Sequence, residues 1–134
     1  MRKIVTPLLL AVVATMTAAG CTGQGASADN ADVREQTLAF FAATAAHDGD
    51  RACDALAPQA ADSLESGGSD CGDEIDKLHL SGGTVQDVQV WGDHAQVKLT
   101  GNTVFLTRFP EGWRVTAAGC QPDPPGPYDC EVEA

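Results

Sequence analysis

The chain has 134 residues, with 8 Lys and Arg against 19 Asp and Glu and a formal net charge of −11. Such a balance repels phosphate backbones and anionic headgroups, so it excludes a nucleic-acid binder and a domain that adheres to anionic membranes by its own charge. The length suffices for one compact domain behind a leader and is too short for two.

At the N-terminus, Arg2 and Lys3 precede an apolar run from Ile4 to Ala14, the pattern of a secretory signal peptide over residues 1–20. The run is too short to span a bilayer stably. The following Thr17-Ala18-Ala19-Gly20-Cys21 sets small side chains ahead of a cysteine and resembles the lipobox of bacterial lipoproteins. That resemblance implies cleavage before Cys21, acylation of Cys21 (lipidation, with palmitate among the acyl groups) and an anchor on the extracytoplasmic face of the cell membrane. Ala18 stands where a lipobox most often has Leu. The alternative is an ordinary signal peptidase cutting at the A-x-A-like site to leave a secreted protein. Removal of the leader takes Arg2 and Lys3 with it, leaving 6 basic and 19 acidic residues and a net charge of −13. Thr22 to Ala31 lack apolar periodicity, so residues 21–31 read as a lipidated cysteine and flexible tether, and 32–134 as a single domain.

Helical patterning fills the first half of that domain. Asp32 and Glu35 have capping-box spacing, and Val33, Thr37, Leu38, Phe40, Phe41, Thr44 and Ala45 repeat at helical intervals until His47-Asp48-Gly49. A second short helix is expected over 51–57. A third opens at Pro58, carries Ala61 and Leu64, and breaks at Gly67-Gly68. Asp70 caps a fourth, with Cys71, Ile75 and Leu78 on one face.

The second half predicts a four-stranded antiparallel meander over 85–91, 94–100, 103–109 and 113–118. The turns are Gly92-Asp93, Gly101-Asn102 and a four-residue loop from Phe109 to Gly112. Hairpin arithmetic then pairs Val90 with Ala95, Val88 with Val97, Asp87 with Lys98, Leu99 with Val104, Val97 with Leu106, Leu106 with Val115 and Val104 with Ala117. Every aliphatic residue in these pairs falls on one face, as a sheet covered by helices on one side requires. The other face carries Trp91, Phe105 and Phe109. The stiff tail Gln121-Pro122-Asp123-Pro124-Pro125-Gly126-Pro127-Tyr128 is the candidate to cover it, or else a docking epitope.

Five cysteines fit export: Cys21 for the lipid and Cys53, Cys71, Cys120 and Cys130 for two disulfide bonds in an oxidising compartment. Three connectivities are possible, and the preferred one joins the sequence-local pairs Cys53–Cys71 and Cys120–Cys130.

Helices followed by a curved meander resemble the nuclear-transport-factor-two-like (NTF2-like), cystatin-like superfamily, in particular its small lipoproteins from high-GC Gram-positive, actinobacterial-type cells. The residues carrying the resemblance are Leu38 to Ala43, Val90-Trp91-Gly92-Asp93, Ala95-Gln96-Val97, Phe105-Leu106-Thr107 and Gly112-Trp113-Arg114-Val115-Thr116-Ala117-Ala118-Gly119-Cys120. The resemblance implies an α+β domain in which helices and sheet form a cone. Members use that cone for catalysis, binding or assembly, so the fold does not decide the function.

No cofactor or metal pattern and no nucleophile arrangement stands out, so no catalytic residue is assigned. His47 reads as a helix-end residue, while His79 and His94 lack the partners a catalytic base needs. Asp48, Asp50, Asp70, Asp73, Glu74 and Asp76 are dense enough for a calcium site to be named, but EF-hand spacing is absent. Arg108 is the one ionisable residue expected on the apolar face, opposite Ala95 and Trp113. It either pairs with a helical acid or marks, with Trp113, the mouth of a cone for a small anionic or aromatic ligand. The expected function is a membrane-anchored binding or accessory module of the cell envelope, with a small ligand or an envelope protein as partner. The alternatives are an isomerase- or dehydratase-like enzyme and a structural partner docking through the aromatic face.

Overall fold

The structure is a computed structural model that describes residues 24–134; the signal segment and Cys21 lie outside the described residues. Helix α1 (Gln24–Ala45) buries Val33, Thr37, Phe40, Phe41 and Thr44, one stripe at intervals of three and four. Leu38 falls off this stripe and is 44% exposed, so it is not part of the core its hydrophobicity suggested. The two buried hydroxyls are satisfied within the helix: Thr37 Oγ1 donates to the Val33 carbonyl at 2.8 Å and Thr44 Oγ1 to that of Phe41 at 2.9 Å.

The helix begins in the stretch expected to be a flexible tether. Residues 24–31 form its first turns and Asp32 is an interior residue, not a cap. The physical reason is twofold. Ala, Ser, Asn and Asp weaken a helix only mildly, and a helix nucleated at its packed stripe gains one hydrogen bond per residue added. In addition Asp29 finds a charged partner on the sheet, a contact that no local pattern announces.

At its other end α1 closes on His47, which takes the left-handed conformation (φ 55°) while the Asp48 N–H donates to the Ala43 carbonyl at 3.0 Å. A left-handed non-glycine residue costs about 1–2 kcal/mol, and glycine gives back part of the difference through its freer unfolded state. His47→Gly is therefore expected to raise stability by up to about 1 kcal/mol in urea unfolding.

Helices α2 (Gly49–Asp54) and α4 (Cys71–Lys77) are capped by Asp48 and Asp70, whose carboxylates accept from Arg51 N–H at 3.2 Å and Gly72 N–H at 2.9 Å. They touch backbone to backbone at Gly49 and Gly72, where a methyl group on Gly49 would collide with the Gly72 carbonyl. The Cys53–Cys71 disulfide, with Cα atoms 6.2 Å apart, ties the same pair. The helix expected over 51–57 ends early, at Asp54. Ala55 to Ala57 leave it to run beside the sheet, with Ala57 N–H donating to the Val115 carbonyl (2.7 Å) and Val115 N–H to that of Ala55 (2.9 Å). Pro58 then opens α3 (Pro58–Glu65) as expected.

The sheet is an open antiparallel meander of five strands, one more than expected: β1 (Val85–Trp91), β2 (His94–Leu99), β3 (Thr103–Phe109), β4 (Gly112–Cys120) and β5 (Val132–Glu133). The β1–β2 register is the expected one, pairing Val90 with Ala95, Val88 with Val97 and Asp87 with Lys98. Between β2 and β3 the expected register is corrected by two residues: Val97 faces Val104 and Ala95 faces Leu106. The turn has slid back by one, so that Leu99 N–H donates to the Asn102 carbonyl (2.9 Å) around Thr100-Gly101 instead of Gly101-Asn102. A two-residue shift preserves which face each side chain occupies, so the apolar face survives it.

Leu106 faces Val115 and Arg108 faces Trp113, as expected, but register shifts around Phe105 put Ala117 opposite Phe105 and not Val104. The additional strand β5 pairs Val132 with Ala118. The core lies between the helices and the inner face of the sheet, where Phe40, Leu56, Ile75, Val97, Val104, Leu106, Val115 and Val132 are buried.

Candidate functional site

Arg108 sits near the end of β3, at the rim of the apolar face, on the same side of the strand as Leu106 and opposite Trp113. Because the β2–β3 register is displaced, it lies opposite Asp93 of the β1–β2 turn, its N–H donating to the Asp93 carbonyl at 2.8 Å, and not opposite Ala95. Its guanidinium meets Asp29 of α1 at 2.6 Å and Asp93 at 3.6 Å, with the central carbon 4.7 Å from the ring centroid of Trp113. Trp113 is buried and forms the floor on which the guanidinium lies. Of the two alternatives for this arginine, pairing with a helical acid is met by Asp29. The helical partner had no signal in the sequence, because Asp29 fell in the supposed tether.

The arginine side chain is 39% exposed, Asp29 25% and Asp93 75%. Ion pairs this open contribute about 1 kcal/mol or less and weaken with salt. Arg108→Ala is therefore expected to cost little global stability. Hydrogen exchange at residues 25–31 should nevertheless accelerate, since Asp29 is what ties the first turns of α1 to the sheet; unchanged protection there would show that those turns hold without it.

Beside this cluster runs an open groove of about 610 Å³ between the start of α1 and the edge strand β1, bounded by Ala26, Asp29, Val88, Val90, Asp93 and Arg108. A smaller recess of about 250 Å³ lies across α1, where Asp32, Glu35 and Gln36 face Gly112 and Trp113. The apolar face beneath the helices is itself filled by Phe40, Val97, Leu106 and Val115.

On the opposite face of the sheet, the tail behaves only partly as expected. Tyr128 packs edge-on against Phe105 with ring centroids 5.1 Å apart and accepts from Gln96 Nε2 at 3.0 Å. The Cys120–Cys130 disulfide and the paired backbones of Gln121 and Asp129 hold that turn in place. The prolines between them are exposed and do not reach Trp91, which stays 49% exposed at the end of β1. Two strands, β2 and β3, separate Trp91 from β4, and it lies at the opposite end of the sheet from Cys120, out of reach of a loop that the disulfide closes over a separation of 10 residues.

Both disulfides join the sequence-local pairs. The carboxylates of Asp48, Asp50, Asp70, Asp73 and Asp76 border a shallow recess near His47, but among the described residues no three His, Cys, Asp or Glu side chains converge as metal ligands. Two of these acids are occupied as helix caps, and Glu74 hydrogen-bonds Lys77 at 2.8 Å, which holds its carboxyl below the ordinary range. His79, like His47, occupies a left-handed position after a helix (φ 51°), and His94 lies 3.3 Å from Thr107 Oγ1 on the outer face. None of the three sits in a nucleophile or acid-base arrangement.

Among the described residues no helix is long and apolar enough to cross a membrane. No protein-family profile, curated protein or solved structure matches the chain.

Proposed function

We propose that this chain is an exported lipoprotein, held on the extracytoplasmic face of the cell membrane through Cys21, whose α+β domain serves the envelope as a binding or accessory module. The observation that carries the reading is the pair of disulfides, Cys53–Cys71 and Cys120–Cys130, which use every cysteine of the domain and leave Cys21 alone for another purpose. Structural disulfides persist in oxidising compartments, and a signal-like leader accounts for how the chain reaches one. Helices ahead of a meander whose apolar face lies under α1 also support the resemblance to the NTF2-like superfamily and its cone-like architecture.

Binding is favoured over catalysis because bulky apolar side chains occupy the inner face on which an enzyme of that superfamily would display an acid-base pair. The groove between α1 and β1 is the place for a small ligand or a partner segment. Arg108 bounds one end of it, with Trp113 beneath its guanidinium. The carboxylates of Asp29 and Asp93 already answer the arginine, so an aromatic or neutral ligand suits this site better than an anion. Cys21→Ser is expected to move the protein from the membrane fraction to the medium, because the thioether-linked lipid is its one anchor once the leader is removed. Retention of that variant in membranes, measured by fractionation and immunoblot, would overturn the lipoprotein reading.

A further inference from the structure

We infer that the end of the domain carrying Trp91 and the β1–β2 and β3–β4 turns rests against the lipid headgroup layer, so that the protein is held to the bilayer surface in one orientation instead of floating on a tether. The inference rests on the lipid-anchored reading above and adds to it a surface and its occupant.

Reach is the first argument. A tether running from Thr22 to Ala31 would let the domain rise by roughly 35 Å, the extended length of ten residues. Helix α1 is instead already formed at Gln24, the first described residue and three residues after Cys21. Even a fully extended chain between these two positions spans only about 11 Å. Gln24 is then kept within about that distance of the acylated cysteine, and what lies across the groove from the first turn of α1 within one layer spacing, about 10 Å, more. The Arg108–Asp29 pair, modest in energy, and the packing of the α1 stripe further along favour a helix start that lies against the sheet.

Topology decides what lies beside that turn. The groove residues place Gly25, Ala26 and Asp29 next to Val90, Gly92, Asp93 and Arg108, at the end of the sheet where β1 gives way to β2. Because β3 runs antiparallel to β2 and β4 to β3, the Pro110-Glu111 turn returns to this same end. Trp91, the last residue of β1, projects there from the outer face, on which Phe109 of β3 also lies. Trp91 and Leu38 are the two exposed large hydrophobic residues among those described, and only Trp91 is at this end. The tail covers Phe105 and leaves Trp91 bare. An indole with an apolar body and a polar N–H gains most at the headgroup level of a bilayer.

Charge at this end selects the kind of surface. Arg108 offsets Asp29 and Asp93 only in part, and Glu111 with Asp32 and Glu35 beside Gly112 add further negative charge, so a zwitterionic surface suits this end better than an anionic one. Contact is thus brought about by the short leash and the indole, and anionic headgroups oppose it.

The test uses the lipidated full chain, taken from a bacterial membrane fraction and reconstituted into phosphatidylcholine vesicles whose acyl chains carry bromine. Brominated chains quench only indoles at bilayer depth. Of the two tryptophans, Trp113 is buried in the domain, so the Trp91→Phe variant supplies its signal as the baseline. Trp91 emission, taken as the difference from that variant, is expected to fall about twofold relative to unbrominated vesicles. Inserting ten Gly and Ser residues between Gly23 and Gln24 should abolish most of the quenching while the protein stays on the vesicles. A vesicle-bound wild type whose Trp91 is not quenched overturns the inference and leaves the lipid anchor standing. Equal quenching after the insertion overturns the short leash as its cause. Failure of the chain to associate with vesicles at all overturns the lipoprotein reading itself, and the inference with it.

Discussion

Phe40→Ala is expected to destabilise the domain by about 3–5 kcal/mol, enough to bring a protein of this size close to unfolding at ambient temperature. The ring is fully buried at the centre of the α1 stripe and meets Phe41 edge to face, with centroids 5.1 Å apart. Truncation removes both the transfer free energy of the ring and its contacts with the inner face of the sheet, and the surrounding strands are too constrained by their pairing to collapse into the space. The companion substitution two residues earlier isolates burial from helix propensity. Leu38→Ala, on the same helix but 44% exposed, should change stability by less than about 1 kcal/mol. Urea unfolding of the two variants, read by circular dichroism, checks the contrast. Similar losses from both would mean that α1 packs on the sheet through a different face.

Loss of the Cys53–Cys71 bond, in the Cys53→Ala, Cys71→Ala double variant, is expected to cost about 3 kcal/mol and to fall on the α2–α4 pair more than on the sheet. The cross-link closes 18 residues of sequence, for which loop-closure entropy gives a term of that size. Its local importance comes from the way the two helices meet. With six and seven residues they are too short to be stable alone, and they meet in a close backbone approach at Gly49 and Gly72 that the disulfide holds together. Hydrogen exchange should therefore show protection lost over 49–54 and 71–77 while β2, β3 and β4 keep theirs. Uniform acceleration across the chain would mean that the helical pair and the sheet unfold as one unit. Gly49→Ala offers an independent route to the same region, because the added methyl collides with the Gly72 carbonyl, a backbone atom that can yield only if the helices part.

What was legible in the sequence was local. The stripe from Val33 to Thr44, the Asp70 cap, Pro58 at a helix start, the β1–β2 turn at Gly92-Asp93 and both disulfide pairs each depend on residues close together in the chain, where backbone geometry leaves few choices. The candidate site was legible in half: Arg108 beside Trp113 follows from hairpin counting, whereas Asp29 as its partner does not.

The sequence by itself determined which face of each strand is apolar, because alternation has a period of two and a turn that slides by one residue moves the pairing by two. It could not determine the sliding itself: Gly101-Asn102 is the better two-residue turn by composition, and yet the packed sheet turns around Thr100-Gly101. Nor did it carry the start of α1, the run of Ala55 to Ala57 along β4, or the two-residue strand β5, all of which are held by partners far away in the chain. Tertiary structure decided these because backbone groups at a sheet edge and a charge at a strand end are satisfied by whatever the fold brings to them, and no periodicity in the residues themselves records what that will be.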